Sequence, residues 1–345
     1  MTLAPYVRIL ARGPGRSRAL TREEARDAMA MILAGDAEPE AIGALLMLLR
    51  FRGEEAAEVA GLVSAARARV RAWQGIGAVV DWPSYAAGRT RGHPYFLLSA
   101  KLVAQAGHPV LLHGWNSHQQ GVASVRAALE GIKIPLCRTP GIAAEALSVD
   151  GIAYLPLENL DGRLLELLRL RDKLGLRSII NTVLRLLNPA EAPLSVQGVF
   201  HPSYRTLQSD VGALLGQPVQ CIIKGGGGEF ERHPSKPVTA HLLRNGEITE
   251  TVAVPFLDET RRLHDAPEHM PTPADLWHGR QSDPFAEAIV TGTAALALAA
   301  LDPDTDARAA QETAARLWAA RLWTERPVAA SAVSARRPTT RRKAS

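Results

Sequence analysis

The residues best suited to chemistry lie in one stretch, Lys224-Gly225-Gly226-Gly227-Gly228-Glu229, with Arg232 and Lys236 close behind. The stretch follows the apolar run 219–223, which reads as a buried strand. Glycine tolerates φ > 0, so four in a row can turn their amide N–H groups toward one point. Such a nest binds anions, phosphate above all, and Lys224, Arg232 and Lys236 would add positive charge beside it. The same run also reads as a plain surface loop between two strands, and a glycine run alone does not separate the two readings.

Other chemistries find little support. The two cysteines, Cys137 and Cys221, form neither a CxxC pair nor a disulfide framework, and no HExxH or Cys/His cluster marks a metal site. The chain has 345 residues, 46% hydrophobic and 22% charged, as in a globular protein of one large domain or two modest ones. No apolar run reaches membrane-spanning length, and residues 1–18 lack the apolar core of a signal peptide. The expectation is a cytoplasmic protein without a membrane partner.

The net charge of +5 comes from the C-terminus, where Arg326, Arg336, Arg337, Arg341, Arg342 and Lys343 stand without an acid. With those six set aside, the body is close to neutral, so the basic balance alone does not make it a nucleic-acid binder. Within the body, charge is segregated. Residues 60–101 carry Arg67, Arg69, Arg71, Arg89, Arg91 and Lys101 against Asp81 alone, and residues 163–185 carry six basic residues against Glu166 and Asp172. This pattern predicts a basic and an acidic face, or else solvated helix faces pointing in unrelated directions.

The elements that must position these residues follow from periodicity. Thr21 and Glu24 form a capping box, and helices follow over 21–35, from Pro39, and over 54–70. They predict a small helical bundle. Strands are expected at 77–82, 108–113, 151–156, 196–200 and 219–223, with helices at 94–105, 123–129 and 204–215 between them. That alternation predicts an α/β domain with a central, partly parallel sheet. A long helix is expected over 163–187. Asn245-Gly246 between two alternating runs predicts a hairpin. Asp283-Pro284 starts a helix, and another spans about 306–323. The tail 326–345 reads as basic and disordered. The domains are then 1–72, completed by about 160–192, for the bundle, and 73–159 with 193–325 for the α/β part.

In this order the elements resemble the anthranilate phosphoribosyltransferase family (glycosyltransferase family 3), over about residues 20–300. The resemblance rests on Ile42-Gly43-Ala44-Leu45-Leu46-Met47-Leu48-Leu49-Arg50, on His113-Gly114, on Leu174-Gly175-Leu176-Arg177-Ser178-Ile179-Ile180-Asn181, on Leu186-Leu187-Asn188-Pro189 and on Gln197-Gly198-Val199-Phe200. It implies the nucleoside phosphorylase/phosphoribosyltransferase-like fold and a homodimer joined through the helical domain.

Four departures bear on the activity. The family's Gly-Thr-Gly-Gly-Asp loop after Val-Asp, which wraps phosphoribosyl pyrophosphate, is replaced by Trp82-Pro83-Ser84-Tyr85-Ala86-Ala87-Gly88. Proline donates no N–H there. Lys-His-Gly-Asn-Arg becomes Leu112-His113-Gly114-Trp115-Asn116. A Gly-Pro becomes Leu184-Arg185. The magnesium-holding Asp-Glu pair falls near Gly228-Glu229, leaving one carboxylate. Together these resemble the YbiB-type branch, which keeps the fold and dimer, binds DNA, and carries a glycine loop like Lys224 to Glu229.

The expectation is therefore a non-enzymatic homodimer that binds DNA or RNA with weak sequence preference and needs no cofactor. The candidate phosphate contacts are Lys224, Gly225, Gly226, Gly227, Gly228, Arg232, Lys236, Arg185, Arg177, Lys173, Arg171, Arg205, Arg89 and Arg91. Asp81, His113 and Glu229 would line a vestigial substrate cleft. Trp82, Tyr85 and Trp115 are candidates for base stacking or for core. The alternative is a phosphoribosyltransferase with altered loops, in which Asp81 and Glu229 hold magnesium. A structural paralogue without a ligand is a third reading.

Overall fold

The structure, a computed structural model, describes residues 2–13, 15–85, 92–115, 123–259, 261 and 270–324. Its first helices are set by local signals. α1 (Ala4–Ala11) carries Pro5 in its first turn. The Thr21 hydroxyl accepts the Glu24 N–H and the Glu24 carboxylate accepts the Thr21 N–H, starting α2 (Arg22–Ala34), which Gly35 ends at φ 85°. Pro39 opens α3 (Pro39–Arg52), and a Glu55–Glu58 box opens α4 (Ala56–Arg69).

The chain then alternates: β1 (Val80–Ser84), α5 (Phe96–Gln105), β2 (Val110–Gly114), α6 (Val125–Leu129), α7 (Pro140–Val149) and β3 (Ile152–Pro156). It returns to the bundle as α8 (Leu157–Leu160), α9 (Gly162–Arg169), α10 (Arg171–Leu174) and α11 (Ile180–Arg185). It re-enters the sheet as β4 (Leu194–Val199), α12 (Ser203–Leu214) and β5 (Val219–Lys224), then the hairpin β6 (Val238–Arg244) and β7 (Glu247–Ala253). α13 (Pro273–Trp277), α14 (Pro284–Leu301) and α15 (Ala307–Thr324) follow.

The strands form one seven-stranded sheet in the order β3-β2-β1-β4-β5-β6-β7. Neighbouring strands from β3 to β5 run parallel, and β6 and β7 are antiparallel. Asn245 and Gly246, both at positive φ, make the hairpin turn. Alternation along the strands splits the apolar side chains between two cores. Val80, Trp82, Val110 and Leu112 join α5 and α14 on one face. Leu111, Ala153 and Leu155 join the bundle helices on the other. α14 is long and apolar enough to cross a membrane by length and composition, contrary to the expectation that no such run exists. Most of it is buried inside the protein, between α5 and α15.

The elements differ from the sequence reading in ways that bear on the site. β1 runs on through Pro83 to Ser84. Its ladder with β4 stops at Asp81↔Ser195, so proline, with no N–H to give, stands where one side of the strand is already unpaired. The helix expected over 163–187 is broken into α9, α10 and α11, with Gly175 at φ 70° ending α10. α1, α7, α8 and α13 have no counterpart among the expected elements: each is short, and its pattern of apolar residues gives few turns to read. The tail 326–345 lies outside the described residues.

Candidate functional site

In the strand order, direction reverses between β1 and β4, the topological switch point where open α/β sheets take ligands. Among the described residues, the loop after β5 occupies that crevice. The loop after β5 crosses β4 at Gly198, where a side chain would meet the Glu229 backbone at 1.9 Å. It delivers Glu229, fully buried, to β1, where Glu229 Oε1 accepts the Ser84 hydroxyl at 2.8 Å. Glu231, two residues on, is buried as well and accepts the Phe96 N–H at 3.1 Å, at the start of α5. The sequence reading counted one carboxylate here; the structure places two. Their Glu-x-Glu spacing was the available signal, because residues two apart on extended chain share a face.

On the sheet face below the bundle lies a closed polar chain. Asp81 Oδ1 lies 3.0 Å from His113 Nε2, and Asp81 Oδ2 accepts the Ser195 hydroxyl at 2.7 Å. His113 Nδ1 lies 2.9 Å from the Tyr85 hydroxyl, and the Gln197 amide donates to Ser195 Oγ at 3.0 Å. An ionised carboxylate only accepts, so Nε2 carries the proton toward Asp81, and in the neutral ring Nδ1 accepts from Tyr85. Burial first, then Tyr154, Asp81 and Glu158, hold the Tyr85 phenol well above its ordinary range. Asp81, His113, Tyr85 and Ser195 thus find partners in one another, while Gln197 Oε1 is buried without a hydrogen-bond partner among the described residues. Trp82, Tyr85 and Trp115 are all buried, which removes them as stacking platforms.

The glycine loop corrects the nest expectation. Gly225 N–H donates to Val199 O, Gly226 N–H to Glu231 O and Gly228 N–H to Gly225 O. Three of the four amides are thus spent inside the fold, and Gly227 and Gly228 take positive φ so that the loop can curl back. Glycine is required here by packing: a side chain at Gly225 would meet Glu229 O at 1.7 Å.

The other candidate cations separate into groups. Arg185, at the end of α11, is buried; its Nη2 donates to Tyr85 O at 3.4 Å. Together with Arg177, Arg50, Tyr204 and Phe200 it lines a small cleft of about 70 Å³ at the carboxyl end of β4. The guanidiniums feel one another: burial first, then Arg171 and Arg50, lower Arg177, and burial first, opposed by Glu229 and aided by Arg177, lowers Arg185. Phe200 and, on α3, Phe51 are 46% and 91% exposed.

Lys173 instead borders a separate cleft of about 450 Å³, floored by Pro39, Ile42, Leu167 and Leu170, while Arg171 Nε lies 3.8 Å from the Asp172 carboxylate. Lys224 and Lys236 are exposed. Two candidates reach to backbone carbonyls elsewhere in the fold. Arg205 donates to Thr239 O at 2.9 Å, tying α12 to β6. Arg232 is buried, donates to Val254 O and stacks on Phe256. Arg89 and Arg91 lie outside the described residues.

A helical bundle on a mixed, mostly parallel sheet of this order defines a class, and comparison with known proteins gives the family. A sequence profile of the glycosyl transferase family's helical bundle domain matches residues 4–70. The anthranilate phosphoribosyltransferase of Rhodopseudomonas palustris is 33% identical over 232 residues, 67% of this chain and 68% of that one. That of Symbiobacterium thermophilum is 29% identical over 252 residues, 72% and 73% of the two chains. Among solved structures, anthranilate phosphoribosyltransferase from Thermus thermophilus superposes with a TM-score of 0.76 at 22% identity, covering 93% of this chain and 96% of that one. The Saccharomyces cerevisiae enzyme in complex with PRPP and Mg gives 0.73 at 14% identity, covering 93% and 94%. The chain belongs to the anthranilate phosphoribosyltransferase family.

The magnesium that this family implies does not fit the residues present. Asp81 is committed to His113 and Ser195, Glu229 to Ser84 and Glu231 to the Phe96 amide. Mg²⁺ needs near-octahedral oxygen donors and retains several waters, and no group of three or more candidate ligands occurs among the described residues.

Proposed function

We propose that this chain binds a phosphate-bearing strand of nucleic acid at the arginine-lined cleft, without transferring a phosphoribosyl group. The observation that carries the reading is the plugged crevice. Glu229 and Ser84 close the switch point from opposite sides, and Asp81 and His113 satisfy each other behind it. Pyrophosphate chemistry depends on positioned charge in an accessible site, and these groups offer neither access nor spare donors. Arg50, Arg177 and Arg185 stand together next to the crevice, with Phe200 exposed beside them. Cations alternating with open aromatic faces suit a strand whose phosphates and bases must both be met. The reading includes a homodimer through the bundle, supported by the apolar-floored cleft between α3 and α9.

A second reading is phosphoribosyl transfer, and the comparisons speak for it: the relatives carry that name, and none of them speaks for nucleic-acid binding. Under it, the Ser84–Glu229 and Asp81–His113 pairs would open on substrate binding and free carboxylates for magnesium. One pair of measurements separates the readings. Fluorescence anisotropy of an oligonucleotide across a salt series should show binding that weakens with salt. Phosphoribosyl pyrophosphate with Mg²⁺ should leave Tm unchanged, since a ligand that binds only the native state must raise it. A raised Tm together with turnover of anthranilate would replace the first reading with the second.

A further inference from the structure

A second cleft, of about 440 Å³, opens on the far side of the α/β part, between β7, α14 and the first turns of α15. Its volume lies in the range of small-molecule sites, about 300–1,000 Å³. Val252, Val254, Leu296 and Ala299 give it apolar walls. At its base is Arg232, only 7% exposed.

Arg232 is held from three sides. Its backbone N–H donates to Thr293 Oγ1 at 2.8 Å, its Nη2 to Val254 O, and the Phe256 ring lies 4.7 Å from its Cζ. Its Nε is buried and has no hydrogen-bond partner among the described residues. Burial pushes the guanidinium down to about 10, with no carboxylate among the described residues opposing the shift. A buried cation without a counter-ion is costly and is stable chiefly where an anion completes it. A second buried atom without a partner, Gln311 Oε1, belongs to a residue of the same wall. A hydroxyl or amide on a ligand would find an acceptor there.

We propose that this cleft is a binding site for a small monocarboxylate with an apolar body, the carboxylate on Arg232 and the hydrocarbon along α14 and β7. Arg308 and Glu312 also line the cleft, but they pair with each other at 2.9 Å and are largely exposed, so Arg232 is the one buried charge; a single buried cation among apolar walls disfavours the strongly hydrated phosphates, which need several donors. The site is separate from the crevice and the arginine cleft, and does not depend on how they are read.

The test is calorimetric titration of the full chain with octanoate, 1-octanol and octylamine, which share one hydrocarbon length. Octanoate should bind at least about tenfold more tightly than octanol, the scale of a charge-assisted hydrogen bond, and octylamine should not bind. Arg232→Met keeps the chain length while removing the buried charge, and should abolish the preference for octanoate over octanol. Ala299→Leu leaves Arg232 in place but fills the cleft, and should weaken both. Absence of octanoate binding, equal binding of octanol, or a preference that survives Arg232→Met would overturn the proposal.

Discussion

The Glu229 carboxylate accepts the Ser84 hydroxyl at 2.8 Å, joining the loop after β5 to the end of β1 across the mouth of the switch-point crevice. Both residues are buried. The pair accounts for three features at once: why β1 extends two residues beyond the expected strand, why β4 carries glycine at 198, and why the crevice is closed. It also makes the pair a structural element whose loss can be measured.

Ser84→Ala removes the donor and leaves a buried carboxylate oxygen without this bond. The expected cost is about 1–3 kcal/mol, read as a lower urea midpoint with an unchanged m-value. A midpoint equal to that of the parent would mean that water reaches Glu229 and that the crevice is open in solution.

Gly198→Ala places a methyl group against backbone, which cannot swing aside as a side chain can. We expect a loss of about 1–3 kcal/mol or more, with the glycine loop displaced. Gly43→Ala in α3 is the contrast: the added methyl would meet only Leu174 Cδ2, at 3.8 Å. It should stabilise by about 0.5–1 kcal/mol through helix propensity. Thermal melts of the two variants should move in opposite directions.

The bundle should respond to acid through Glu24. Its carboxyl is held at about 2, first by the Arg18 hydrogen bond, and further by the Thr21 backbone N–H and the Arg18 charge against the opposing effect of burial. The folded value lies below the unfolded one, about 4.3. The contribution is therefore complete above the unfolded value and is lost as pH falls from about 4.3 toward 2. Arg18 is half exposed, so solvent screening keeps the contribution of the ion pair small. Glu24→Gln should lower the urea midpoint at pH 7, and the gap to the parent should close near pH 2.

Arg177→Ala tests the proposed cleft. If Arg177 meets one phosphate, the slope of log Kd against log salt should fall by about 0.7 for a single strand or about 0.9 for a duplex. Affinity should drop alike for all sequences tested, because phosphate contacts carry no base code. An unchanged slope would place the phosphates elsewhere, with the exposed Lys224 and Lys236 as the next positions to substitute.

Much of this protein is legible from its residues. The Thr21–Glu24 box, Pro39, Asn245-Gly246 and Asp283-Pro284 act within a few residues of themselves, so each marks its element wherever the chain goes. The alternation of apolar runs implies a layered α/β part, and the motifs around Gly43, Asn181 and Gly198 carry the family. Fates that depend on distant partners could not be read in the same way. Arg232 and Arg177 are both arginines in basic stretches, yet one is buried between Thr293, Val254 and Phe256 while the other lines an open cleft. The four glycines have the composition of an anion nest, but Val199 and Glu231 take two of their amides and Gly225 a third. Whether a loop binds a ligand or its own fold depends on which carbonyls tertiary packing brings within hydrogen-bond reach, and that distance is not written in the local sequence.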